Sequence, residues 1–207
     1  MHRCEDSASA SLSAPWSPPT RQLDHTKFRS RLIEWTIKTN QTFRAATDDS
    51  LFSLLQSVAE DVDISPLKVS HFTLGRWVRR LHKDSKKTIA RRIKEARSAI
   101  NVSFDMWTSS NDLPMLAIVS HFIDRQGSYR SPLIALTQVE GSHTGKNIAN
   151  HVVKVLQDYK LTADNIGYFV LDNASNNNTA IDEIARQFGF NGSHARLRCA
   201  GHNQSRL

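Results

Sequence analysis

The chain has 207 residues, 39% of them hydrophobic and 23% charged, with a net charge of +7. No apolar run reaches the roughly eighteen residues of a membrane span, and the first twenty residues lack the apolar stretch of a secretory signal. Two cysteines, Cys4 and Cys199, exclude a disulfide framework or a cysteine-rich zinc finger within these residues and fit a reducing compartment. The charge is uneven: residues 20–100 hold 17 basic and 9 acidic groups, whereas 101–207 hold nine of each. A basic arm or face beside a neutral body is the expected organisation.

The opening "MHRCEDSASASLSAPWSPPT" is rich in Ser, Ala and Pro without apolar period, which predicts a disordered tail over 1–20. "FRSRLIEWTIKT" predicts a helix with Phe28, Leu32, Trp35 and Ile37 on one face. A second helix opens on the N-cap types Asp48, Asp49 and Ser50 and carries Leu51, Leu54, Leu55 and Val58; Pro66 breaks the pattern. Residues 72–100 give the longest helical signal, with Leu74, Val78 and Leu81, then Ile89, Ile93, Ala96 and Ile100. Residues 21–100 therefore form an all-helical basic region. Ten basic and two acidic residues lie between Arg76 and Arg97. Arg76, Arg79, Arg80, Lys83, Lys86, Lys87, Arg91 and Arg92 fit either a solvated helix face or a surface that contacts phosphates.

From residue 100 the period becomes two. "INVSFDMWTS" predicts a strand with Ile100, Val102, Phe104 and Met106 on one side. "MLAIVSHFID" and "PLIALTQVE", joined by a turn at Gly127, predict an antiparallel hairpin. A helix follows, buried through Ile148, Val152, Val155, Leu156 and Tyr159. "NIGYFVLD" is apolar on both faces, as in a central strand; "NNTAIDEIARQFGF" is helical and "ARLRCAGH" is a short last strand. The order β-β-β-α-β-α-β indicates an α/β fold over 101–207.

Three motifs bear on chemistry. "GSHTGK" is one residue short of a P-loop and lacks its Ser/Thr, so it does not predict nucleotide binding. Cys199 and His202 have ligand-like spacing, but a structural zinc needs four ligands, and only His194, His121 or His143 could add to them, so zinc is not expected. Asp105 is expected at the end of the first strand and Asp172 at the end of the fourth. Singly, each fits a cap or turn. If their strands are parallel neighbours, both emerge at one sheet edge and suit Mg²⁺, which prefers oxygen ligands. The amide run Asn173–Asn178 is expected to cap the next helix and fix the backbone at Asp172.

"SFDMWTSSND", "HFIDRQG", "GSHTGKNIA", "GYFVLDNASNN" and "RLRCAGH", in this order, resemble the hAT superfamily of DNA transposases, including its restless-like branch, over about residues 26–202. The resemblance implies an RNase H-like mixed sheet with flanking helices, nuclear location, DNA as partner and Mg²⁺-dependent strand cleavage and transfer. It implies that Asp105 and Asp172 match the first two members of a metal-binding Asp-Asp-Glu triad, and that Cys199 and His202 match the family's C-x-x-H motif. The family's Glu lies beyond a helical insertion that has no counterpart in these 207 residues, nor has its oligomerisation segment or its zinc finger. A truncated, catalytically incomplete transposase-derived protein is the expectation, with a non-catalytic nucleic-acid-binding remnant using helix 76–97 as the alternative. An incomplete core also predicts apolar strand surface left exposed.

Overall fold

The computed structural model describes residues 23–141 and 144–198, in two compact units that part between Arg79 and Arg80, ahead of the change of period at residue 100. The tail 1–20 and the pair Cys199 and His202 lie outside the described residues.

In the first unit, helix α1 (His25–Lys38) starts at Asp24, whose side chain accepts from the Lys27 amide at 2.8 Å. Helix α2 (Asp49–Val58) starts at Asp48, which accepts from the Ser50 amide at 2.9 Å. Each carboxylate satisfies an amide that the helix leaves unpaired. Helix α3 (His71–Lys94) begins in this unit and ends in the next. Leu32, Ile33, Ala46 and Leu74 form one buried cluster and Phe52, Ile64 and Leu67 another, with Phe28 packed against both and Leu55 against the second. Trp35, Ile37, Leu54, Val58 and, further along, Leu81 are exposed, contrary to the predicted stripes. Adjacent apolar residues such as Leu32 and Ile33 allow two stripes about 100° apart on one helix, and tertiary packing selects between them.

The second unit is a six-stranded mixed sheet: β1 (Ile100–Thr108), β2 (Pro114–Ile123), β3 (Tyr129–Arg130), β4 (Leu133–Gln138), β5 (Ile166–Leu171) and β6 (Arg196–Arg198). The order is β3-β2-β1-β5-β6, with β4 also paired to β2. The predicted hairpin is present, since β4 runs antiparallel to β2, and so is the central fourth strand, since β5 lies between β1 and β6 and parallel to both. The turn after β2 closes on Gly127, at φ +82°, and on buried Asp124, whose carboxylate accepts from the Gln126 and Ser128 amides and from Arg130.

Helices α4 (Gly145–Asp158) and α5 (Ser175–Phe188), followed by the short α6 (Gly192–Ala195), complete the unit. One sheet face, with Ile100, Val102, Phe104, Leu116, Ile118, Phe122 and Phe169, shares a core with Ile148, Val152 and Leu156 of α4 and Ile181 and Ile184 of α5. Phe169 stacks on Phe190 and meets Phe104 edge-on. Ile93, near the end of α3, joins this core. The opposite face carries Tyr168, Leu136 and Leu197, which are 48%, 55% and 46% exposed. The exposed apolar strand surface predicted from the sequence is therefore present.

Two glycines hold this arrangement closed. The β1–β5 register shifts between Ile100 and Val102, where Asn101 Oδ1 accepts from the Tyr168 amide at 2.8 Å. A Cβ on Gly167 would lie 2.4 Å from that oxygen, so a side chain there would push the Asn101 amide away from the Tyr168 N–H. Gly145 touches the first turns of α5 so closely that a Cβ would lie 2.4 Å from the Asn176 carbonyl oxygen. This packing role accounts for the glycine in "GSHTGK"; Thr144 caps α4 by accepting from the Asn147 amide.

Candidate metal and nucleic-acid site

Asp105 and Asp172 reach one sheet face by different local routes. The last β1–β5 pair is Ser103 with Val170. Asp105 and Asp172 each stand two residues beyond this pair, where the parallel pairing has ended and Asp172 has already left β5. The sequence placed Asp105 at the end of its strand. β1 instead runs on to Thr108, paired only with β2, and Asp105 lies opposite Ala117. What ends near Asp105 is the parallel pairing, and this is the edge where α/β sheets place their sites.

Asp172 follows the last residue of β5 and opens a turn. Its Oδ1 accepts from the Ala174 amide at 3.1 Å and from Asn177 Nδ2 at 2.5 Å. Its carbonyl oxygen accepts from Arg196 Nη2 at 2.8 Å. The Asn-rich segment therefore acts differently from the prediction. The N-cap residue of α5 is Ala174, with no side-chain cap, and the carboxylate itself organises the turn. Asn177 orients Asp172, whereas an Asn oxygen capping the helix was expected.

Both carboxylates line an open trough of about 680 Å³ across β2, β1, β5 and β6. Its floor continues through Ser103, His121 and Tyr129. Ser103 Oγ lies 2.8 Å from His121 Nε2, and Tyr129 OH lies 2.8 Å from His121 Nδ1. Burial holds the imidazole below its ordinary pKa of 6.5. The sequence reading considered His121 only for zinc and passed over Ser103 and Tyr129. The available signal was alternation: Ala117, Val119 and His121 share a strand face, as do Ser103 and Asp105.

Among the described residues no group of three or more His, Cys, Asp or Glu converges as a metal site. Glu183, near in sequence to Asp172, is engaged elsewhere. Arg186 binds it through two nitrogens at 2.9 and 2.6 Å, and with Gln187 lowers its pKa to about 2. His194 lies in α6, apart from the trough lining.

The eight basic residues singled out from the sequence all lie on α3 and all are exposed. Lys86 meets Asp158 at 3.2 Å, Lys87 meets Asp84 at 4.0 Å and Arg91 meets Glu95 at 3.9 Å. Among the described residues, Arg76, Arg79, Arg80, Lys83 and Arg92 have no such carboxylate partner. No described helix is long and apolar enough to cross a membrane.

Residues 103–201 match the ZBED1 RNase-like domain family. The chain is 24% identical over 144 residues to "Putative AC transposase" of Zea mays, covering 66% of this chain and 18% of that protein. The match to "Putative AC9 transposase" of Zea mays has the same identity and covers 17% of that protein. A third relative, "Putative transcriptional regulator tpeD" of Talaromyces stipitatus, is 24% identical over 134 residues, 16% of its length. The chain thus spans less than a fifth of each of these relatives. The mixed sheet, the matched family and the transposase relatives agree: the fold is RNase H-like, and the chain is similar to hAT-type transposases.

Proposed function

We propose that this chain is a transposase-derived DNA-binding protein in which Asp105 and Asp172 hold a divalent cation against a DNA phosphodiester. The observation that supports it is the placement of both carboxylates on one face where the parallel pairing of β1 and β5 ends. The donor set fits Mg²⁺: it is carboxylate oxygen in an open, water-accessible trough. Two neighbouring carboxylates repel one another unless a cation lies between them. Bound there, such an ion would polarise a phosphoryl oxygen and lower the pKa of a coordinated water. The chain's own part is orientation: Asn177 and the Ala174 amide hold the Asp172 carboxylate, and Arg196 holds its backbone.

Ancestral activity in this reading is Mg²⁺-dependent strand cleavage and transfer, and Asp105 and Asp172, the two carboxylates that line the trough among the described residues, are by themselves an incomplete catalytic set. Incubation of the 207-residue chain with supercoiled plasmid and Mg²⁺ or Mn²⁺ tests this. The expected outcome is cation-dependent DNA binding without nicking. Nicking that disappears in Asp105→Ala and Asp172→Ala would retain the site and overturn the incompleteness.

A second reading has its own support in the exposed cations of α3: DNA binding by that helix without any metal. Replacing one phosphate-binding Arg or Lys by Ala should lower the salt dependence of binding by about one unit of log–log slope. Mobility shifts over a salt series separate the readings, because binding through α3 survives Asp105→Asn and Asp172→Asn. Nuclear location belongs to the same proposal and is tested by imaging a fluorescent fusion.

A further inference from the structure

We propose that Ser103, His121 and Tyr129 form a neutral hydrogen-bond donor site that takes the phosphodiester next to the one held at Asp105 and Asp172, so that a single DNA strand runs along the trough. The inference rests on the reading given under Proposed function. It goes further by naming a second contact and the form of DNA bound.

Counting hydrogens makes the case. A neutral imidazole carries one N–H and one bare nitrogen, and each hydroxyl both donates and accepts. His121 has a hydroxyl partner at each ring nitrogen, 2.8 Å away in both cases. If Nε2 carries the proton, it donates to Ser103 Oγ, Nδ1 accepts from Tyr129 OH, and the Ser103 proton is left over. In the other tautomer Nδ1 donates to Tyr129, Nε2 accepts from Ser103, and the Tyr129 proton is left over. Either way three hydrogens serve two internal bonds, and one hydroxyl proton remains to be given to a ligand.

A phosphodiester oxygen is an acceptor and suits that proton. Among the described residues of the trough lining, Asp105 and Asp172 are the charged ones, and the remaining polar groups besides this chain are Asn101 and Tyr168. Asn101 Oδ1 is already engaged by the Tyr168 amide. Placement also fits. Ser103 lies two residues before Asp105 on the same strand face, about 6.6 Å along it, within the reach of one extended nucleotide. The trough, open along the sheet face with a volume of about 680 Å³, has the size of a ligand-binding cleft. The His121 ring is nearly parallel to that of Tyr129, at 15°, and Tyr129 is 63% exposed, so a flat surface borders the site.

The test is fluorescence anisotropy of a labelled single-stranded DNA with the full chain in Ca²⁺, over a salt series, with each variant's melting curve recorded. His121→Ala and Ser103→Ala should each weaken binding about three- to tenfold, the size of one hydrogen bond. The slope of log affinity against log salt should not change, because a neutral contact releases no counterion. His121→Gln, which keeps an amide near the Nε2 position, should restore most of the affinity. Unchanged affinity in both His121→Ala and Ser103→Ala would overturn the proposal. So would losses that match the unfolded fraction, or a reduced salt slope. Failure of the carboxylate reading looks different: affinity would then be indifferent to Ca²⁺ and to Asp105→Asn and Asp172→Asn, whatever His121→Ala does.

Discussion

Gly145→Ala should destabilise the sheet unit and loosen Asp172. A Cβ built on Gly145 falls 2.4 Å from the Asn176 carbonyl oxygen, 2.6 Å from Thr179 Cβ and 2.8 Å from the Ala180 amide nitrogen. The shortest contact is about 1 Å inside the 3.4 Å at which ordinary contact begins. Two of the three atoms are α5 backbone, which cannot rotate away, so α4 and α5 must separate. Overpacking of this kind costs about 1–3 kcal/mol. Alanine returns at most about 1 kcal/mol of helix propensity, and less at the first helical position. The net loss should be about 1–2 kcal/mol, which lowers Tm by about 3–10 °C for a unit of this size. Circular dichroism melts and urea titrations measure it. The same displacement moves Asn177, in the first turn of α5, away from the carboxylate it binds. A variant as stable as the parent, or more so, would show that the helix contact is not tight and that the glycine has another reason.

Three more perturbations follow from named contacts. Ser120 is fully buried in β2, and its hydroxyl has no partner among the described residues. Ser120→Ala should therefore stabilise the chain by about 1 kcal/mol, since a buried unpaired hydroxyl costs about 1–3 kcal/mol, read as a higher urea midpoint. Phe169→Ala removes a fully buried ring between Phe104 and Phe190 and should cost about 3–5 kcal/mol by the same titration. The His121 imidazole has its pKa lowered by burial, so the unfolded chain binds a proton more readily than the folded one. Stability is then complete above the ordinary value of 6.5 and falls as pH drops from there toward the lower folded value. His121→Gln should flatten that part of a Tm–pH curve.

The sheet was legible because its strands alternate cleanly. In β1 the even positions Ile100, Val102 and Phe104 are buried, and the odd positions face the trough. β5, apolar on both faces, announced a central strand. The helices of the first unit were less legible, since runs such as Leu32-Ile33 and Leu51-Phe52 offer two stripes each and only packing chooses between them. At the site, the two carboxylates stood out because each interrupts an apolar run. The hydroxyl–imidazole chain did not. It joins Ser103 to His121, eighteen residues apart in sequence, and depends on the β1–β2 register, which puts Asn101 opposite His121. The role of Asn177 was hidden for a related reason. An amide cluster before a helix predicts capping, and the structure uses one of its members to orient the carboxylate instead.

Binding of Mn²⁺ to the full chain, followed by loss of the free-ion electron paramagnetic resonance signal, probes the carboxylate pair without DNA or turnover. One weak site is expected, with Kd on the order of 10⁻⁴–10⁻³ M as for sites with few carboxylates, abolished by either Asp105→Asn or Asp172→Asn. Binding that is equal in the parent and both variants, or absent from the parent, would contradict a metal site at the β1–β5 edge.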